Sequence, residues 1–168
     1  MRVFIQAHLD TIKQRMQVDI GYGDYIYPEP VTISFPVVLS NMTRPLVNAY
    51  TLETVISEKF HAMIELSELN SRMKDFYNVY HFLNADQYDA KILEEAVCAT
   101  FDNRQTFFRT KHTLFTDEFV NDSQRNRAWQ AFQKKIGQDT SLSFRQVVNE
   151  ITRVLEPIWE LLPTGRVN

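Results

Sequence analysis

The 168-residue chain has the composition of an ordinary folded domain, with 44% hydrophobic and 23% charged residues. Its net charge of −3 argues against a protein that coats nucleic acid, although a local basic pocket remains compatible with it. The single cysteine, Cys98, excludes an internal disulfide, and no apolar run reaches the roughly 18 residues of a membrane span. We therefore expect a cytoplasmic protein with no membrane partner.

The first part of the chain alternates between apolar and polar side chains, which is typical of β-strands. Val3 and Ile5 alternate with polar neighbours, and a second alternating run covers residues 16–24. The short connection at 9–13 predicts that the two runs form a hairpin. Because an isolated strand pair is rarely stable in water, we expect either the later helices or chain preceding residue 1 to cover it.

A further extended segment is predicted at 31–39, in a stretch that contains Pro28, Pro30 and Pro36. Proline cannot donate a hydrogen bond to a sheet, so this segment is not expected to be a central strand. Residues 40–48 are predicted to form a loop or another short strand.

From Thr51 onward, the apolar residues recur with the period of a helix. Thr51 lies in the predicted N-cap region of the first helix, Gly137 is the predicted C-cap of the fourth, and Pro157 is expected to kink the fifth. A short additional helix is expected near 117–120. The five main helices are predicted at about 51–67, 71–83, 89–103, 123–136 and 143–162.

These patterns together predict an α+β fold, with a small antiparallel sheet at the N-terminus followed by a helical bundle. The change of period divides the chain into residues 1–50, which contain the sheet, and residues 51–168, which form a helical domain. The 12 phenylalanines and 7 tyrosines predict an aromatic-rich core.

The first candidate for chemistry is Asp19, a carboxylate within the second alternating run. Its side chain lies on the face of the strand opposite to Val18 and Ile20. A strand carboxylate followed by a glycine-containing turn suits a sheet that presents a metal ion to a nucleotide. The alternative is that Asp19 lies on a solvated sheet face.

The second candidate is Lys59, which falls inside the apolar stripe of the first helix. It follows Val55 by four residues and precedes Met63 by four. A lysine on a buried face must be paired or must lie at a wet cleft, because an isolated buried charge is costly. The alternative is a packed stem that carries its ammonium group to the surface.

The third candidate is the run Arg72-Met73-Lys74-Asp75 at the start of the second helix. Asp75 and Asn78 are three residues apart and therefore share a helix face. Arg72 and Asp75 also have the spacing of an ordinary surface ion pair, which contributes roughly 0.2–0.5 kcal/mol. The spacing alone favours the surface ion pair, and a functional cluster of Arg72, Asp75 and Asn78 is the alternative.

Three stretches together resemble the AbiEii/AbiGii toxin family, which belongs to the DNA polymerase beta-like nucleotidyltransferase superfamily. They are residues 17–24 (QVDIGYGD), residues 50–63 (YTLETVISEKFHAM) and residues 70–78 (NSRMKDFYN). The resemblance is sharp over residues 15–83 and looser in the later helices. It implies that the chain holds part of a nucleotidyltransferase fold.

The resemblance also implies roles for individual residues. Asp19 matches the strand carboxylate that supplements the paired metal-binding carboxylates of the family. Lys59 matches the lysine of the E-K-hydrophobic-x-A helix, which contacts nucleotide phosphates, and Arg72 and Lys74 are further nucleotide-binding candidates. Asp75 matches the acidic residue of the K-D-x-Y-D motif and is a catalytic candidate.

Two features depart from the family pattern. Asn78, the second catalytic candidate, stands where the motif usually has aspartate, and an amide binds a cation more weakly than a carboxylate does. The family's leading glycine-serine turn with its D-x-D pair is expected before residue 1, and Asp10 alone does not supply it. Because a two-metal site needs several carboxylates, this chain alone is expected to be an incomplete or inactive transferase.

The resemblance implies transfer of a nucleotidyl group from a nucleoside triphosphate to an RNA acceptor such as tRNA. Mg²⁺ is the implied cofactor, provided that the further carboxylates are supplied, and a cognate antitoxin is an implied partner. The alternative is a non-catalytic, truncated relative that binds protein or RNA. Exposed strand edges at the N-terminus favour pairing with another chain, including a second copy.

Overall fold

The computed structural model describes residues 1–23, 25–66, 72–85, 87–107, 111–137 and 141–164. The chain begins with an antiparallel hairpin of β1 (Arg2–Leu9) and β2 (Ile12–Asp19), as predicted. A two-residue turn at 10–11 joins the strands, so the connection is shorter than the predicted 9–13. Asp10 takes a positive φ of 52°, which tight hairpin turns require and which aspartate tolerates.

This hairpin is amphipathic, because its register aligns the apolar residues of the two strands. The cross-strand pairs of the apolar face are Val3–Val18, Ile5–Met16, Ala7–Gln14 and Leu9–Ile12. The larger apolar side chains of this face stay exposed, by 45% for Ile5 and by 75% for Leu9. The expectation that the later helices cover the strands is therefore not met within the part of the chain that the structure describes.

A second, separate hairpin consists of β3 (Val31–Ser34) and β4 (Leu46–Ala49). The Phe35 amide donates a hydrogen bond to the Pro45 carbonyl oxygen at 2.9 Å, next to the last strand pair. The extended segment predicted at 31–39 is a strand only in its first half. The small antiparallel sheet predicted for the N-terminal part thus takes the form of two hairpins.

The remaining described elements are helical, which confirms the predicted α+β fold. The helices are α1 (Leu52–Leu66), α2 (Met73–Asn84), α3 (Ala90–Asn103), α4 (Asp117–Asn121), α5 (Ser123–Ile136) and α6 (Phe144–Leu161). A 3₁₀ turn at Thr113–Phe115 precedes α4. The predicted start of the second helix, at residue 71, lies outside the described residues.

Polar side chains fix where several of these helices begin. The Thr51 hydroxyl accepts a hydrogen bond at 3.3 Å from the amide three residues later, as expected of an N-cap. Ser143 and Gln146 form a reciprocal capping box at the start of α6. Gly137 ends α5 with a left-handed φ of 67°, as predicted. Helix α6 includes Pro157 and continues to Leu161.

The hydrophobic core is formed by the helices. Among the described residues, every buried apolar side chain belongs to residue 56 or a later one. Helix α1 packs against α3, and α2 packs against α6. Four rings, those of Phe76, Phe119, Trp129 and Phe144, join α2, α4, α5 and α6 with centroid distances of 5.2–6.1 Å. Across the described ranges, each helix is too short or too polar to cross a membrane.

Candidate functional site

A groove of about 1070 Å³ opens between α1, α2 and α5. Its polar lining includes Lys59 from the first helix and the candidates Arg72, Lys74 and Asp75 from the start of the second. The side chains that line it with charge or polarity are Glu58, Lys59, His61, Glu65, Arg72, Lys74, Asp75, Arg104 and Lys135. Four of the six residues predicted from the sequence to form a site are therefore brought together here.

Lys59 and Asp75 form an ion pair across the groove, with 2.5 Å between Nζ and Oδ1. Their side chains are only 22% and 14% exposed. The buried face of α1 follows Ile56, Phe60 and Ile64, so Lys59 lies at the edge of this face rather than in its middle. Of the alternatives open from the sequence, a paired lysine at a cleft is the one observed.

Arg72 and Lys74 extend the basic lining on the α2 side. The Arg72 Nη1 atom lies 3.8 Å from the second Asp75 oxygen, so Asp75 faces two cations at once. Asp75 is in the first turn of α2, where the helix dipole stabilises a negative charge. Lys74 is exposed and lines the same groove. The i,i+3 ion pair expected between Arg72 and Asp75 is thus present as part of a larger cluster.

The α3 side of the groove contains a network that the sequence patterns did not indicate. Arg104, just after α3, donates a hydrogen bond to Glu58 at 2.6 Å. The buried His61 ring lies 2.8 Å from the Thr106 hydroxyl. Burial lowers the pKa of His61, the Arg104 charge lowers it further, and Glu65 acts in the opposite direction. Glu58, His61 and Glu65 are spaced three and four residues apart on α1, and this spacing is the sequence feature that could have predicted a polar face here.

Helix α5 supplies the third wall, and this wall is largely apolar. Ala128, Ala131 and Phe132 line the groove, with Lys135 one turn further along. The Phe132 ring packs edge-on against Tyr77, with 5.6 Å between the centroids. Phe132 therefore both packs against α2 and lines the groove, and Lys135 places a positive charge at the end of this wall.

The groove is positively charged although the chain is not. Five basic side chains line it against three carboxylates, an excess of two positive charges when His61 is neutral. The whole chain carries a net charge of −3. The lining is therefore suited to an anionic ligand, because concave surfaces of one charge sign concentrate ligands of the opposite sign.

Asp19, the predicted metal ligand, lies outside this groove. It is the last residue of β2, and Arg2 from the opposite strand donates to both of its carboxylate oxygens, at 2.6 and 3.3 Å. A further hydrogen bond from Gln17 measures 2.9 Å. The Arg2 guanidinium lowers the pKa of Asp19, and the Gln17 amide adds to this effect. The surroundings are those of an exposed sheet face, as the alternative interpretation held.

Asn78, the second catalytic candidate, is half-buried one turn after Asp75 on α2 and does not line the groove. The structure therefore separates the two members of the motif, with Asp75 in the groove and Asn78 beside it.

The described residues do not fit a bound divalent metal. Within the described ranges, no three side chains of histidine, cysteine, aspartate or glutamate come together as a metal site would require. Asp19, the predicted metal ligand, is paired with Arg2, and Asp75, a catalytic candidate, is paired with Lys59. Both carboxylates therefore already bind cations of the chain itself.

The structure is an α+β fold with a basic groove between its helices, and such a lining suits an anionic ligand. Comparison with known families supplies the family: the profile described as nucleotidyl transferase AbiEii toxin, Type IV TA system, matches residues 1–150. The chain belongs to this family of nucleotidyltransferase toxins. Neither the curated proteins nor the solved structures that were compared gave a match. The family implies a nucleoside triphosphate substrate, a divalent metal and an antitoxin partner.

Proposed function

We propose that the groove between α1, α2 and α5 binds the triphosphate of a nucleoside triphosphate, and that the nucleotidyl group passes to an RNA acceptor. The observation that carries this proposal is the Lys59–Asp75 pair inside a groove with excess positive charge. Lysine is a compact point charge that suits a phosphate, and Arg72 adds a fork of donors beside it.

Asp75 acts in this proposal by positioning the cations. Its two oxygens face Lys59 and Arg72, so both cations are held at the groove before a ligand arrives. A bound triphosphate then replaces one of the contacts between Asp75 and these cations. The Lys59 and Arg72 side chains do not have to be ordered when the ligand binds. Holding the cations in place lowers the entropic cost of binding.

Nucleotide binding by the purified chain is the direct test. Titration calorimetry with ATP in the presence of EDTA measures the affinity without any contribution from metal. We expect Lys59→Met, which keeps the apolar stem, to weaken binding about tenfold or more, because hydrogen bonds between charged groups contribute about 1.5–3 kcal/mol. Lys134→Met is the matched control, since Lys134 is exposed on α5 and does not line the groove. Equal affinities of the wild type and Lys59→Met would contradict the proposal.

The acceptor is tested by label transfer. The chain is incubated with each of the four α-labelled nucleoside triphosphates, magnesium and total RNA, with an RNA-free control. Label in RNA that is lost in Lys59→Met supports transfer to RNA. Label that appears only in protein, or equally in the variant, contradicts it.

A second candidate function is a binding module without catalysis. The observation that favours it is that Asp19 and Asp75 are paired with Arg2 and Lys59, and that no group of three potential metal ligands occurs among the described residues. This candidate predicts RNA retention in a gel-shift assay with no label transfer under any metal condition. Transfer by the purified chain would exclude it.

The apolar face of the β1–β2 hairpin leads us to propose weak pairing of two copies of the chain. Ile5, Leu9, Ile12 and Met16 are exposed on this face. Two strands of eight residues cover roughly 27 Å by 10 Å, well below the roughly 800 Å² per partner of a stable interface. The pairing should therefore be reversible and concentration-dependent.

Sedimentation of the chain over a range of concentrations tests the pairing. We expect the dimer fraction to rise with concentration and to fall in Ile5→Lys, which places a charge on the apolar face. Gln6→Lys, which adds the same charge to the opposite face, serves as the control. A monomer at every concentration would contradict the pairing.

A further inference from the structure

We propose that the α5 wall of the groove binds the nucleobase, and that the base stacks on the ring of Phe132. This inference rests on the proposed function, because it assigns the base of the nucleotide whose triphosphate Lys59 is proposed to hold. It concerns a part of the groove to which neither the family motifs nor the ion pairs assign a role.

The groove is divided by chemistry. Lys59, Arg72 and Lys74 lie on its α1 and α2 side, whereas Ala128, Ala131 and Phe132 lie on α5. A nucleotide has the same division, since its phosphates are anionic and its base has two apolar faces. The volume of about 1070 Å³ lies just above the range of ordinary ligand pockets, which span about 300–1,000 Å³.

The shape of the α5 wall suits a flat ligand. Ala128 and Ala131 are three residues apart and share a helix face, so their small side chains leave a shallow surface in the groove. Phe132 follows immediately and is half-buried, which leaves part of its ring open to the groove. A shallow surface beside a partly exposed aromatic ring can accommodate a stacked base.

The Phe132 ring is also held in place. Tyr77 packs against it at a centroid distance of 5.6 Å and an interplanar angle of 64°, and Trp129 lies at 5.7 Å and 37°. Trp129 is itself fixed by a hydrogen bond from its indole nitrogen to the Leu142 carbonyl oxygen at 2.7 Å. A ring fixed in this way is ordered before the ligand binds, so less entropy is lost on stacking.

The wall should discriminate poorly between bases, because Lys135 is the one α5 residue among the described lining residues that can donate a hydrogen bond to a base edge. Stacking depends on the area of the ring, so purines should bind more tightly than pyrimidines. We expect ATP and GTP to bind several-fold more tightly than CTP and UTP, with little difference inside each pair.

The test compares ATP with inorganic triphosphate, which has the charge but no base. Phe132→Leu keeps an apolar side chain and removes the ring. We expect it to weaken ATP binding about tenfold, within the range for one base–aromatic stack, and to leave binding of inorganic triphosphate unchanged. Ala131→Leu places a larger side chain at an exposed position of the α5 wall and should also weaken ATP binding. Gln130→Ala on the exposed side of α5 is the control.

The outcomes separate this inference from the proposed function. If Lys59→Met weakens both ligands while Phe132→Leu and Ala131→Leu weaken neither, the base does not lie on α5 but the triphosphate site stands. If Phe132→Leu weakens ATP and inorganic triphosphate equally, its effect is structural and the stacking role is overturned. If the wild type binds neither ligand, both proposals fail. Thermal melting of each variant identifies loss of folding, in which case Ala131→Leu decides.

Discussion

Lys59 and Asp75 neutralise each other in a half-buried position, so each is a structural partner as well as a proposed ligand contact. Removing one partner leaves the other charge with little solvent around it. We expect Lys59→Met or Asp75→Asn alone to lower the free energy of unfolding by about 1–3 kcal/mol. The double variant should lose less than the sum of the two single losses.

A double-mutant cycle in urea measures this coupling. The Arg145–Asp117 pair between α6 and α4, whose side chains are 49% and 84% exposed, serves for comparison and should show a weaker coupling, because solvent screens it. Additive losses for Lys59 and Asp75 would mean that the ion pair contributes nothing to folding.

His61 and His112 link stability to pH. Burial lowers the pKa of both, so each binds a proton less readily in the folded chain than in the unfolded chain, where histidine takes up a proton near pH 6.5. The unfolded state therefore binds more protons as pH falls below about 6.5, and the free energy of unfolding should decrease there. Stability above this pH should be insensitive to these two groups.

Chemical denaturation at pH 7.5, 6.5 and 5.5 measures this effect. We expect His61→Gln to reduce the loss of stability on acidification, and His112→Asn to reduce it further when the two are combined. Asparagine keeps an acceptor for the Leu114 amide, which His112 caps at 3.1 Å. The same acid-induced loss in the double variant as in the wild type would contradict the assignment.

At the level of the elements, Gly137 shows how local backbone geometry ends a helix. Its φ is 67°, and nothing lies within 4 Å of the position that a Cβ would occupy. Gly137→Ala should therefore destabilise the chain by about 1 kcal/mol through backbone strain alone. Gly137→Asn should cost less, because asparagine tolerates the left-handed region. Thermal unfolding of the three proteins checks this order, and equal stabilities would contradict it.

Tyr27 connects the segment between the two hairpins to the helical part. Its hydroxyl donates to Glu95 on α3 at 2.5 Å, and its carbonyl oxygen accepts from the Thr54 hydroxyl at 2.8 Å. The hydrogen bond to Glu95 raises the pKa of Tyr27. We expect Tyr27→Phe to open this connection and to increase the rate of proteolysis between residues 20 and 30. Tyr25→Phe, at a more exposed position, is the control, and equal rates would contradict the role of Tyr27.

On the scale of the whole molecule, the two parts of the chain differ in how they are stabilised. In the described residues, all of the buried apolar side chains belong to the helical part, whereas the hairpins expose theirs. We expect a fragment of residues 51–168 to fold without the hairpins. Circular dichroism and cooperative urea unfolding of the fragment measure this, and a fragment without a cooperative transition would show that the N-terminal part is needed.

The sequence predicted the elements more closely than the site. The N-cap at Thr51 and the C-cap at Gly137 were readable because they depend on one side chain or one φ angle. The apolar stripe predicted for α1 around Val55 and Met63 was only partly right, since Met63 is buried but Val55 is half-buried. Phe60 and Ile64 belong to the buried face instead. Which residues of an amphipathic helix are deepest depends on its neighbours, and periodicity does not contain that information.

The family, the α+β order of elements and the charged residues on the first two helices were readable from the amino-acid sequence. These depend on local patterns and on motifs whose residues are close together in the chain. Three features required the packed structure: Lys59 and Asp75 face each other, Arg104 and α5 complete the groove, and Asp19 is paired with Arg2 outside it. Charge pairing and groove shape depend on contacts between distant segments, and those contacts exist only once the helices have packed.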